Sequence, residues 1–236
     1  MLNIPYFQHK MTVIVTQQLE EILNTKLTIN RIDIGLLNRI IIDGVNLKDQ
    51  HHKPLLNVSR FSASFEILPL FQGKISIRSV QLYGFDISLY QRTEKEPLNC
   101  QFLIDALSSK EPKKEPSRLD LRINALLIRQ GKVSYDLLST PHIPDRFNPS
   151  HLKLDNLLAT ISLKHYSSDS LNIALKRMSF REQSGLKLER LKFHFIANQR
   201  EALLKQFECQ LPNSNICLSE IHAEYKNMQD WKQVGD

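Results

Sequence analysis

A chain of 236 residues, 42% hydrophobic and 24% charged, can form one large domain or two modest ones, and it is too apolar to be disordered throughout. The net charge of +6 favours anionic partners such as phospholipid surfaces or nucleic acid, but the basic residues are scattered rather than gathered in one arm. No run of about 18 apolar residues and no signal-peptide core is present, and the odd count of cysteines (Cys100, Cys209, Cys217) argues against a disulfide framework, although Cys209 and Cys217 could still pair.

The first predicted element is an amphipathic helix from about Gln8 to Leu23. Met11, Ile14, Val15, Leu19, Ile22 and Leu23 recur at helical spacing, Pro5 precedes them and Asn24 ends the run. Such a helix either caps the end of a sheet or lies on a membrane surface, and the spacing favours the cap.

The next segment, Leu27 to Ile34 (LTINRIDI), introduces a pattern that dominates the chain. Apolar residues occupy its first, third, sixth and eighth positions, and the others are polar. The pattern returns strictly at Leu56 (LNVSRFSA), Ile75 (ISIRSVQL) and Leu186 (LKLERLKF), and loosely at Ile40, Leu121, Leu152, Ile173 and Ile216. On a helix the four apolar positions would form two opposed clusters. On a strand each half alternates cleanly, with the halves out of phase by one residue. A β-bulge or sharp bend at the central polar pair would return both halves to one face.

Two shorter helices are expected at Phe65 to Gln72 and at Asn99 to Ser108, the second capped by Asn99. Between them lies half of a longer repeat. Ile75, Ile77, Val80, Leu82, Ile87 and Leu89 match Leu121, Ile123, Leu126, Ile128, Val133 and Tyr135, always 46 residues later. Each copy reads as strand, short turn, strand, with Gly84 and Gly131 near the turns. The expected fold is mainly β: an elongated, curled, mostly antiparallel sheet with an apolar groove, an N-terminal amphipathic helix and a few short helices. The organisation is a helix at 1–25, a first strand segment at 26–107, a polar linker at 108–119, a second strand segment at 120–224 and a polar tail at 225–236. Ser139 to His151, with three prolines, reads as a surface loop.

Chemistry is hard to find. With seven glycines there is no phosphate-binding loop, and no nucleophile elbow, H-E-x-x-H or C-x-x-C occurs. The adjacent His51 and His52 fall in a polar turn, and neighbouring strand positions would point them apart. The acidic residues, such as Asp33, Asp43 and Asp49, sit singly at turns, and no acid–base pair can be assembled. Phe193 and Phe195 beside Lys192 are the nearest approach to a nucleic-acid stacking platform and read better as core. A long sheet with few helices to cover it would curl on itself, and the resulting groove suits acyl chains. The lining would then be Ile75, Ile77, Val80, Leu82, Ile87, Leu89 and their six counterparts from Leu121 to Tyr135. The chain reads as a binding or scaffolding protein, not an enzyme, with no cofactor or metal; the competing reading is a structural or protein-interaction scaffold whose apolar face is a closed core.

The order IPYFQ, amphipathic helix, LNTKLTINRIDIGLLNRIIIDGVNLKDQ, LLNVSRFSASFEILPLFQGKISIRSVQLYGFDISLY and LNCQFLIDAL resembles the N-terminal part of the TamB family, within the AsmA-like group. The resemblance covers Ile4 to Tyr135 well and the remainder more loosely. Its most specific element is strand, short apolar helix, Gly-Lys, strand, strand at Phe61 to Leu89. It implies an envelope protein of diderm bacteria at the periplasmic face of the inner membrane. The family has a β-taco whose groove carries phospholipid toward the outer membrane, and it supports outer-membrane protein assembly with a barrel partner. The family's membrane anchor before the helix and its C-terminal partner-docking region are not in this sequence, so a fragment is expected.

Overall fold

The computed structural model describes residues 4–35, 38–66, 77–108, 123–143, 146–166 and 170–225. The expected helix at Phe65 to Gln72 and the polar linker fall mostly outside these residues. Among the described residues the chain is mainly β. A helix, α1 (Ile4–Leu23), is followed by strands β1 (Leu27–Gly35), β2 (Arg39–Lys48), β3 (Pro54–Phe65) and β4 (Ile77–Gln91). After helix α2 (Gln101–Ser108) come β5 (Ile123–Leu137), β6 (His151–Tyr166), β7 (Leu171–Glu182), β8 (Lys187–Ala197), β9 (Glu201–Leu211) and β10 (Ser214–Glu224). All ten strands join one open sheet in sequence order. The two predicted strand segments are therefore halves of a single sheet.

The register explains the pattern. Leu27, Leu47, Leu56, Ile87, Val133 and Leu154 align across β1 to β6. So do Ile32, Ile42, Phe61, Leu82, Ile128 and Ala159. A third row runs Ile40, Ala63, Val80, Leu126, Ile161. A fourth runs Ile29, Val45, Val58, Phe85, and continues through Gly131 to its partner Leu157. Across the antiparallel pairs β1–β2 and β2–β3 the rows join mirror-related positions of the pattern, first with eighth and third with sixth.

Between the rows lies a crease at the polar pair. The second residue of the pair takes a positive φ at Gly44 (65°), Gly84 (60°), Gln130 (52°), Asn156 (54°) and Gln206 (53°). One residue in this conformation resets the alternation, as in a β-bulge. Side chains from both halves then share a face: Leu82 and Ile128 from before the crease pack in the same cluster as Ile87 and Val133 from after it. The bulge is the form the expected bend takes.

One expectation holds with an exception and one is corrected. The sheet is mostly antiparallel, as expected, and β4 and β5 are the pair that runs parallel among the described strands. Parallel neighbours need a long crossover, and the connection from Gln91 to Ile123, with α2 in it, supplies one. The 46-residue repeat is the register of this pair: Val80 faces Leu126, Leu82 faces Ile128, Ile87 faces Val133 and Leu89 faces Tyr135. Nor is either copy a strand, turn and strand. Each is one 15-residue strand, and Gly84 and Gly131 lie inside it at the crease.

The edges of the sheet differ. α1 lies along β1, where Thr12 Oγ1 accepts from the Ile32 N–H at 3.1 Å and Glu20 Oε1 from the Leu27 N–H at 3.0 Å. The helix thus satisfies edge donors that no strand reaches. Capping, rather than lying free, is its place in the fold. Nothing among the described residues pairs the outer edge of β10, where Ile216, Leu218 and Ile221 are 50%, 42% and 47% exposed.

Candidate functional site: an apolar face with a stoppered end

The four rows make a continuous apolar face. Val58, Phe85 and Leu157 are buried at its centre, and Val45, Leu56, Phe61, Leu82, Ile87, Ile128, Val133, Met178 and Phe180 pack around them. Every described element apart from α1 and α2 belongs to the sheet itself, so among the described residues only these two helices, at one end, cover the rows. Most of the surrounding side chains are half-buried, which leaves apolar surface to contact a ligand.

One end of the face is closed. Leu27, Leu47 and Leu55 form a second cluster, packed by Leu19 and Leu23 of α1 and by Phe102 and Leu103 of α2, with Leu89 joining from β4. A buried turn holds this end together. Asp49 is fully buried and accepts from the His51 and Lys53 N–H groups, each at 2.8 Å, and from the Tyr90 hydroxyl at 2.7 Å. Burial pushes its carboxyl upward, but these donors outweigh that effect and leave it below its ordinary value. With its oxygens committed, Asp49 is a structural anion rather than a base for catalysis. Asn99 does not cap α2 through its side chain as expected. Its Oδ1 accepts from the Tyr90 N–H at 3.1 Å and its Nδ2 donates to the Ser88 carbonyl at 3.0 Å, tying the loop before α2 to β4.

The expected lining residues divide as follows. Leu82, Ile87, Ile128 and Val133 belong to the central cluster, and Leu89 to the stoppered end. Val80 and Leu126 are register partners and half-buried. Tyr135 is half-buried, and its hydroxyl donates to Gln91 Oε1 at 2.8 Å, which gives the row a polar terminus. Ile77 opens β4 opposite Phe65. Ile123 opens β5 opposite Leu163, and Ile75 and Leu121 lie outside the described residues. Val58, Phe85 and Leu157 were not among the expected lining. The signal for Phe85 was present, because Val80, Leu82, Phe85 and Ile87 form another copy of the pattern that overlaps the strict copy at Ile75.

Other candidates resolve into local structure. His51 contacts Arg92 at 3.2 Å, and His52 sits in the turn with a φ of 61°. His194 pairs with Asn172 Oδ1 at 2.8 Å, and burial lowers its pKa. Cys209 and Cys217 are free thiols whose register partners are Ile216 and Glu208. Among the described residues no three His, Cys, Asp or Glu side chains gather as a metal site, and no helix is long and apolar enough to cross a membrane. Comparison with models of protein families, with curated proteins and with solved structures finds no match to this chain.

Proposed function

We propose that this chain binds phospholipid acyl chains along its apolar face, as a segment of a TamB-like envelope protein that carries lipid between the inner and outer membranes and supports outer-membrane protein assembly. One observation carries the reading: four apolar rows run across the sheet on a single face, and among the described residues no element beyond α1 and α2, which pack at one end, covers them. An acyl chain needs such a surface and no polar partner. Lipid extraction of the gently purified, folded protein, read by mass spectrometry, is expected to return phospholipid in stoichiometric amount. Aspartate at Val80 and Leu126 is expected to abolish photo-crosslinking to a lipid probe, and an unchanged crosslink in a folded double variant would sink the assignment.

The burial of Val58, Phe85 and Leu157 favours the competing reading, a closed core in a structural scaffold. That reading requires a folded, lipid-free protein whose unfolding transition is indifferent to added lipid.

A further inference from the structure

The opposite face carries a second arrangement that the acyl-chain reading does not use. One residue from each polar pair aligns there, Arg31, Asp43, Arg60, Tyr83 and Arg129 on β1 to β5. Asp43 receives both the Nε and Nη2 of Arg60, at 2.6 and 3.3 Å, and Asp33 Oδ2 lies 2.6 Å from Arg31, while Asp33 Oδ1 is buried without a partner among the described residues. Arg129 has no carboxylate partner among the described residues, nor does Arg39 on β2. Both line a shallow cavity of about 520 Å3, together with Arg60, Ser59, Gln81, Tyr83 and the apolar Leu82 and Leu127.

Arg39 is held in place. Its Nη2 donates to the Oγ of Ser62 at 3.1 Å, and Ser62 is only 3% exposed. Its Nε is buried and has no acceptor among the described residues. A guanidinium with a donor left unsatisfied is costly unless an anion completes it. Arg60 and Arg129 stand two strands apart, roughly 10 Å at backbone level, with the half-exposed Tyr83 between them. A tetrahedral oxyanion would take donors from Arg129, from Arg60 Nη1, since its Nε and Nη2 are given to Asp43, and from the Tyr83 hydroxyl.

From these observations we infer that the cavity bounded by Arg39, Arg60, Tyr83 and Arg129 is a binding site for a phosphate group, on the face opposite the apolar rows. The donors come as planar forks from several directions, which suits an anion with three or four acceptor oxygens better than a carboxylate with two. The site does not depend on lipid in the groove, and the two proposals fail separately.

The test uses the full chain at low salt, labelled so that arginine Nε–H resonances are resolved and titrated with inorganic phosphate. A saturable shift of Arg39 and Arg129 is expected. R129Q should weaken the affinity about tenfold, as loss of one charge-assisted pair implies, while R200Q, far from the cavity, leaves it unchanged. Flotation with vesicles of phosphatidylcholine alone, and of phosphatidylcholine with an equal part of phosphatidylglycerol, separates the sources of the phosphate. Phosphate binding with R129Q-sensitive flotation on the mixed vesicles supports a lipid headgroup. Phosphate binding without flotation supports a soluble phosphoester. No saturable shift in the wild-type chain, or equal affinities for R129Q and R200Q, overturns the site.

Discussion

Gly131 occupies the place in its row where the strands on either side carry Phe85 and Leu157, with Val58 beyond Phe85. A Cβ built there would enter the edge of the Phe85 ring and stand 3.2 Å from the Cβ of Leu157. The phenyl ring fills the space the glycine leaves, so the two residues are one packing unit. G131A is expected to destabilise the fold by about 1–3 kcal/mol, as overpacking does, and F85L should recover part of the loss in the double variant; urea midpoints check both. His151 is a second residue with a defined consequence. Its Nδ1 lies 2.9 Å from Asp136 Oδ1 and its Nε2 lies 2.8 Å from the Thr140 carbonyl, so only the imidazolium satisfies both acceptors. Asp136 first, and Thr140 next, raise its pKa above 6.5. The stability it adds is complete below the unfolded value and is lost as pH rises through the folded one. The gap in urea midpoint between wild type and H151Q should therefore shrink as pH rises above 6.5 and through the raised folded value. None of this was readable in advance. A glycine in a strand signals a bulge or a close approach, but Gly131 does not name Phe85 as what approaches, and His151 meets Asp136 only because β5 and β6 pair.

At the scale of elements, the strands were legible because their pattern is strict and its halves cannot share a helical stripe. The pairing direction of β4 and β5 was not, for a specific reason. Positions one, three, six and eight of eight are the same read backwards. An antiparallel neighbour superposes apolar on apolar, as Ile29 on Val45 and Ile32 on Ile42, and a parallel neighbour does so equally, as Val80 on Leu126. Direction is set instead by the length of the connection, which is short between most strands and long between these two. The crease was legible as a phase change, and its left-handed residues are glycine or asparagine at Gly44, Gly84 and Asn156, the types that tolerate that backbone best. The role of α1 was half legible. Its apolar spacing pointed to a cap, but Thr12 and Glu20 gave no hint that they accept from strand N–H groups. T12V keeps the shape and removes the acceptor for Ile32. It should cost about 1–3 kcal/mol by leaving that N–H unsatisfied, measured by thermal or urea unfolding.

For the whole molecule, one sheet presents two chemically different faces. The crease that brings the apolar positions to one face also gathers Arg60, Tyr83 and Arg129 on the other. The proposed acyl-chain and phosphate sites thus draw on the same eight-residue pattern, read from its apolar and polar positions. Their residues follow from sequence once register is known, and register required the coordinates. The two edges of the sheet add a consequence for assembly. In the language of polymer chemistry, a unit with two reactive ends grows into chains and a unit with one can only couple. α1 blocks β1, while nothing among the described residues covers the backbone or the apolar stripe of β10, so the described sheet is monofunctional. Concentrating the protein is expected to give a two-fold dimer joined through β10, visible by sedimentation, with no higher series behind it. L218K should return it to monomer. Removing α1 would restore the second reactive end and turn coupling into fibre growth.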